Sequence, residues 1–313
     1  MWYHYLIGAI LLVLLLLFVT TLICYLMVFK APKRSEVDVD NIVFPNGFDF
    51  ERFTPQIREW ILALRSAPHE EFKVKSFDGL MLYGKYYEYE KGAPIELIFH
   101  GYEGSGERDL SGALERCFAL KRSVLIVDQR SAGKSQGNTI TFGIKERKDC
   151  LTWIDFLINH FGSDVKIVIA GISMGGATVL MASGEELPSN VTHILADCPY
   201  SSPEKIIKKV IKDMKLSPRF FYPFVSLAAK IFGGFNLNET EPITAVKKSK
   251  KPIILLHGGS DSFVPAYMSC EIYENIPTKK AICIIEGADH GVAYPVDKQK
   301  YIDAIKNFEK DIL

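Results

Sequence analysis

The sequence predicts an α/β chain, a mostly parallel sheet of about eight strands covered by helices on both faces, with one long apolar helix ahead of it. Short apolar runs recur along the chain, each followed by a helical stretch; a hairpin signal precedes them; and an apolar segment opens the sequence. The 313 residues are 24% charged and 48% hydrophobic, an ordinary globular composition with enough apolar material for one large core. Lys plus Arg and Asp plus Glu number 37 each, and no long basic run stands out, so nothing in the charge invites nucleic acid.

Taken in order, residues 1–30 read as a transmembrane anchor. From Leu6 to Phe29 the chain is apolar apart from Gly8, Thr20, Thr21, Cys24 and Tyr25. At 1.5 Å per residue such a run crosses a hydrocarbon core of about 30 Å. Trp2, Tyr3, Tyr5 and Tyr25 lie near its ends, where amphipathic rings favour the interface. No Lys or Arg precedes the run and no small-residue cleavage site follows it, which favours a retained anchor over a secretory leader. Lys30, Lys33 and Arg34 follow the span, and the positive-inside rule leans toward a cytoplasmic domain on a single-pass chain. Acidic Glu36, Asp38 and Asp40 come next, so the side is weakly specified.

Residues 31–71 read as a juxtamembrane connector with an amphipathic helix at Gln56–Leu64, where Ile57, Trp60, Ile61 and Leu64 fall at helical spacing. The domain proper is expected over 72–313. An alternating stretch from Phe72, the turn pair Asp78-Gly79 and the run from Leu80 form a hairpin. The apolar strands Ile95–Phe99, Val124–Val127, Ile167–Ala170, His193–Ala196, Ile253–Leu256 and Ala281–Ile285 follow. Between Pro199 and Lys251 lie about fifty residues where a simple crossover needs far fewer. They predict an inserted helical cap at about 200–250, with one helix marked by Ile206, Ile207, Val210, Ile211 and Met214. A second is marked by Phe224, Leu227, Ala228 and Ile231 and introduced by Pro223. The six cysteines are scattered with no C-x-x-C pair, which suggests neither a zinc site nor a disulfide framework.

The chemistry starts at Gly171-Ile-Ser173-Met-Gly175, a G-x-S-x-G stretch between a strand and a helical run. A serine nucleophile exposed on a strained strand-to-helix turn needs small neighbours, and the helix N-terminus faces the reacting carbonyl. Gly133-Lys-Ser135-Gln-Gly137 fits the same pattern, but Asp128 has already ended its strand and no small-residue helix opens after it, so Ser135 reads as loop. Partners follow in the order serine, acid, histidine: Asp261 in His257-Gly-Gly-Ser-Asp261-Ser-Phe-Val-Pro265, and His290 in Gly287-Ala-Asp-His290-Gly291. His290 would take the Ser173 proton and return it to the leaving group, while Asp261 fixes the tautomer. Asp197 is the alternative acid and Asp289 a weaker one. The oxyanion hole is expected from the N–H groups of Met174 and Tyr102. The Tyr102 hydroxyl either reaches substrate or packs against the cap, and His100 and His257 are expected to serve loop backbone.

Together with Asp128-Gln-Arg-Ser-Ala-Gly-Lys-Ser135, Ile140-Thr-Phe-Gly and Ala196-Asp-Cys-Pro-Tyr-Ser-Ser-Pro, these stretches resemble the α/β-hydrolase superfamily over residues 72–313. Within it the chain looks like the bacterial, membrane-anchored group labelled serine aminopeptidase S33-like. The resemblance implies an acyl hydrolase that needs no cofactor and no metal, with Ser173, Asp261 and His290 as its triad and Tyr102 and Met174 as its oxyanion hole. Ser131 replaces the usual glycine of the D-x-R-G-x-G-x-S loop, a structural segment in the superfamily. The expected substrate is a small-molecule carboxylic ester, acyl or aryl and plausibly lipid-derived. Phe220, Phe221, Tyr222, Phe224, Phe232 and Phe235 of the cap are candidates either for binding its apolar group or for docking the cap. The rival readings are a peptidase acting on N-terminal residues, with Glu103 and Glu204 as candidate ammonium partners, and a non-catalytic binding protein on the same fold. Oligomeric state is not legible.

Overall fold

A computed structural model describes residues 2–33, 36–43 and 50–312. Arg34 of the basic cluster lies outside the described residues, as do Met1 and Leu313 at the edges of the expected segments. The elements run α1 (Trp2–Val28), α2 (Thr54–Ser66), β1 (Glu70–Lys75), β2 (Met81–Tyr87), β3 (Ile95–Phe99), α3 (Gly106–Asp109), α4 (Ala113–Ala119) and β4 (Ser123–Asp128). They continue with α5 (Glu146–Phe161), β5 (Ile167–Ile172), α6 (Met174–Ala182), β6 (Val191–Asp197), α7 (Pro203–Asp213), α8 (Pro218–Ile231) and α9 (Pro242–Ala245). The last are β7 (Ile253–Gly258), α10 (Tyr267–Glu274), β8 (Lys280–Ile285), α11 (Ala293–Val296) and α12 (Lys298–Glu309).

The eight strands form one sheet in the order β1-β2-β4-β3-β5-β6-β7-β8. β1 and β2 pair antiparallel, and β2 joins β4 antiparallel; every later pairing is parallel. The hairpin turn is built as its residues require. Gly79 adopts φ +94°, Ser76 Oγ donates to Asp78 Oδ1 at 2.7 Å, and Leu80 N–H returns to Ser76 Oγ at 2.8 Å. β3 and β7 are buried at every position, which is why β7 reads as a continuous apolar run over Ile253–Leu256; in β3 the run is broken by the buried Glu96, which pairs with Arg116 and Arg122. The chain leaves β3 toward β4 and then crosses back to β5 on the other side of β3. That switch point opens a crevice at the strands' carboxyl ends.

Among the described residues, three apolar cores hold the molecule. One sheet face packs Trp153, Ile154 and Leu157 of α5 with Val179 and Leu180 of α6. The other packs Trp60, Ile61 and Leu64 of α2 with Ile302, Ile305 and Phe308 of α12. The α2 helix, expected inside the connector, thus buries its apolar face in the core of the sheet domain, tied by Trp60 Nε1–H donating to Glu115 Oε2 at 2.8 Å. The third core joins the cap to the end of α1 and includes Phe29, Phe142, Tyr222, Val225 and Phe235.

The second cap helix departs from its expected start. It begins with Pro218 at its first turn, after Ser217 in an extended conformation, and Pro223 lies inside it. Proline suits the first turn, where its missing N–H costs nothing. Either proline could have opened this helix on that ground, and the aromatic run Phe220–Tyr222 has no period to choose between them. α1 is long and apolar enough to cross a membrane. Its first nineteen residues are almost wholly exposed, whereas Thr21, Cys24 and Phe29 are buried against the domain.

Candidate active site

β5 delivers Ser173 to the crevice. Ser173 sits at φ 54°, ψ −116°, between the end of β5 and the first residue of α6. A non-glycine residue at positive φ costs about 1–3 kcal/mol and persists only where its surroundings enforce it. Here the enforcement is steric. A Cβ on Gly171 would lie 2.2 Å from the Gly175 carbonyl carbon, and one on Gly175 would lie 2.1 Å from Phe99 O. The glycines of the pentapeptide therefore let strand, turn and helix approach closely. Ser173 N–H donates to Asp197 O at 2.8 Å, and its carbonyl accepts from Ala177 N–H at 2.9 Å.

His290 follows β8 and brings its ring between two partners. Nε2 lies 2.9 Å from Ser173 Oγ, and Nδ1 lies 2.7 Å from Asp261 Oδ2. An ionised carboxylate only accepts, so Nδ1 carries the ring proton and Nε2 is left to accept from the serine hydroxyl. Asp261 follows β7, and its Oδ1 accepts from the Phe263 and Val264 N–H groups at 3.0 and 2.8 Å. Burial pushes this carboxyl up, but hydrogen bonds from His257 and His290 outweigh it and bring it down to about 2. Asp261 is held as a carboxylate across the whole working range.

The other acids are placed elsewhere. Asp197 Oδ2 accepts from Tyr301 O–H at 2.9 Å, and burial raises its carboxyl against that bond. Asp289 Oδ1 accepts from Ser262 N–H at 2.9 Å. His100 does serve loop backbone: Nδ1 contacts Gly101 O at 2.8 Å and Nε2 accepts from Gln129 N–H at 3.0 Å. His257 does so too, through Val264 O at 2.7 Å, but its Nε2 also lies 3.2 Å from Asp261 Oδ2. That second contact was missed. Its one sequence signal is the four-residue spacing from His257 to Asp261 at the end of an apolar strand.

The loop after β3 completes the surroundings. Gly101 N–H donates to Asp109 Oδ2 at 3.1 Å, and the Gly101 backbone comes close enough that a Cβ there would sit 3.6 Å from Ser173 Cβ. Tyr102 follows and lines the same cavity as Ser173. Met174 opens α6, where the first N–H groups have no partner inside the helix. The Tyr102 hydroxyl goes to neither expected destination. It donates to Val28 O, at the end of α1, at 2.9 Å. Cys198, Asp261 and His290 bring possible ligand atoms within 4.8 Å of one another. The set does not fit a metal, because His290 and Asp261 already face each other and burial holds the Cys198 thiol protonated.

Ser173 and His290 border a cavity of about 480 Å³. Its walls are largely apolar, drawn from Ile206, Ile207 and Ile211 of α7, Phe142, Phe263 and Trp60. The aromatic group of the cap is absent from those walls, so of its two expected roles its contacts follow the docking one. Phe232 packs on Phe18 and Tyr25, and Phe235 packs on Phe29, so these rings join the cap to α1. The aliphatic side chains of α7 face the cavity in their place.

A family model described as alpha/beta hydrolase fold matches residues 97–238. The uncharacterized protein YqkD of Bacillus subtilis is 27% identical over 187 residues, 59% of this chain and 61% of that protein's length. Among solved structures, the Pyrococcus furiosus esterase Pf2001 superposes with a TM-score of 0.66 at 21% identity, covering 90% of this chain and 97% of the esterase. The esterase EaEST of Exiguobacterium antarcticum superposes with a TM-score of 0.57 at 16% identity, covering 76% and 99%. At these identities the likeness establishes the fold. With its eight-stranded sheet, its helical layers and the family model matched over residues 97–238, the chain has the α/β-hydrolase fold.

Proposed function

We propose that this chain is a serine hydrolase that cleaves carboxylic esters, with Ser173 as nucleophile, His290 as general base and acid, and Asp261 as the orienting carboxylate. The observation that carries the reading is the continuous chain of contacts from Asp261 Oδ2 through His290 to Ser173 Oγ, at 2.7 and 2.9 Å. Ser173 Oγ attacks the ester carbonyl carbon as its proton passes to His290 Nε2. The carbonyl oxygen becomes an oxyanion facing the Met174 and Tyr102 N–H groups. Collapse breaks the bond to the alkoxy oxygen, which takes the proton from Nε2 and leaves as an alcohol. Water then attacks the acyl-serine with the same histidine as base, releasing the acid and restoring Ser173 Oγ–H.

The apolar cavity favours esters over peptides. Of the two candidate ammonium partners, Glu204 is paired with Lys208 and does not border the cavity, and Glu103 lies on its exposed rim. A panel of p-nitrophenyl esters beside aminoacyl-anilides tests this. Turnover of esters is expected, lost in Ser173→Ala; turnover of anilides alone would overturn the ester reading.

α1 is retained, on this reading, as a single-pass membrane anchor. Support comes from its exposed apolar length and from how its end is built into the domain. Ile140 N–H donates to Phe29 O at 2.8 Å, Ala31 N–H donates to Asn138 O at 3.0 Å, and Tyr25 O–H lies 2.7 Å from Thr139 Oγ1. The exposed Lys30 and Lys33 beside the span support a cytoplasmic domain through the positive-inside rule. Protease added outside intact cells is expected to leave the domain whole; its digestion would reverse the orientation.

A further inference from the structure

We infer that the end of α1 and the outer face of the cap seat the mouth of the cavity on the bilayer, so that the substrate is a long-chain acyl ester drawn from the membrane. The inference rests on the serine-hydrolase reading of Ser173 and on α1 as an anchor, and adds to them where the substrate comes from.

Three independent features meet at this edge. First, Met27 of α1 and Met214 after α7 both border the cavity while being 58% and 49% exposed, so they lie on its rim. Val28 borders the cavity too, and its carbonyl holds the hydroxyl of Tyr102, whose N–H is the proposed oxyanion donor. The apolar helix is thus part of the site as well as its tether.

Second, the outer stripe of α8 is apolar and exposed. Phe220, Leu227 and Ile231 are 60%, 44% and 60% exposed. At about 100° per residue they fall within about 40° of one another around the helix, a single stripe opposite the buried Tyr222, Val225 and Ala229. A water-facing cap would carry polar side chains there.

Third, that stripe is continuous with α1. α8 packs directly along it, with Phe232 ringed by Phe18 and Tyr25, each at 5.7 Å between centroids. The exposed stretch from Trp2 to Thr20 is about 28 Å long, close to a hydrocarbon core. The bilayer boundary then falls near Thr21, and Met27 stands about 10 Å beyond it at most, at the depth where interfacial helices lie. Lipid is the occupant that covers both the anchor and the adjoining stripe with one surface.

The test uses the full chain in phosphatidylcholine nanodiscs. Hydrolysis of p-nitrophenyl palmitate carried in the bilayer is compared with that of water-soluble p-nitrophenyl acetate. The Phe220→Glu/Ile231→Glu variant, altered outside the cavity, is expected to lower the palmitate-to-acetate ratio at least tenfold. Met27→Trp is expected to lower it comparably, and Leu12→Trp, on the exposed part of α1, to leave it within twofold. An unchanged ratio in the Glu variant overturns the inference, as does a wild-type dimer that this variant dissolves without moving the ratio. Should the Glu variant not fold, Phe220→Trp in nanodiscs of brominated lipid replaces it. Quenching of the residue-220 fluorescence is expected, and its absence overturns the inference. A wild type that turns over neither ester and takes no fluorophosphonate fails earlier, at the serine-hydrolase reading.

Discussion

Ser173 and Ser135 occupy the same G-x-S-x-G pattern, yet their hydroxyls meet different partners. Ser135 is fully buried; its Oγ accepts from Tyr83 N–H at 2.8 Å and donates to Asp128 O at 2.6 Å. Both of its bonds are spent on stitching the loop after β4 to β2. Ser173 is held at positive φ at the cavity's edge, and its Oγ faces a histidine nitrogen that can take a proton. A pentapeptide therefore describes a tight turn, and chemistry depends on what the hydroxyl faces. A hydroxyl saturated by main chain is structural, and one facing an oriented base is placed to act as a nucleophile.

The contrast can be broken from either side. Ser173→Ala should lower kcat/KM by about 10⁴ to 10⁶ with secondary structure intact, because the remaining groups then act without a nucleophile. Ser135→Ala should leave kcat/KM within about threefold. Asp261→Asn should lower kcat by about 10³ to 10⁴, because an amide facing Nδ1 favours the wrong ring tautomer. Circular dichroism and steady-state kinetics on the purified variants check all three.

Stability reverses the ranking of the two serines. Ser135→Ala leaves a buried N–H and a buried carbonyl without partners and should cost about 1–3 kcal/mol by denaturant unfolding. Ser173→Ala removes no such stitch and relaxes a strained turn little, so its loss should be smaller. The acid end of the site adds a pH signature. Asp261 sits at about 2 in the folded chain against an ordinary 3.8, a difference worth about 2 kcal/mol. Its folded value is depressed, so this stability is present above about pH 4 and lost as the pH falls toward 2. Acid titration of wild type beside Asp261→Asn should show that loss in the wild type alone.

What was legible in the sequence follows from range of interaction. The hairpin at Asp78-Gly79, the buried strands and the turn at Ser173 are set by neighbours a few residues apart, and they leave a period or a motif. The order of Ser173, Asp261 and His290 was legible because each follows a strand whose apolar run marks it. The role of the cap rings was not, since Phe232 meets Phe18 and Phe235 meets Phe29 across more than 200 residues of chain. Nor was the placement of Met27 and Val28 in the cavity wall, because an apolar run destined for lipid and one destined for a pocket have the same composition. The start of α8 at Pro218 was missed for a local reason: two prolines five residues apart both satisfy the rule for a first turn.

The central claim, that Ser173 and not its counterpart is the nucleophile, has a direct measurement. The full-length chain is treated with a fluorophosphonate, digested with trypsin, and the modified peptide is sequenced by mass spectrometry. The account predicts one phosphonyl group on Ser173 in the peptide Ile167–Lys205, lost in His290→Ala. An adduct on Ser135 in the peptide Ser135–Lys145, or labelling that survives Ser173→Ala, would contradict it.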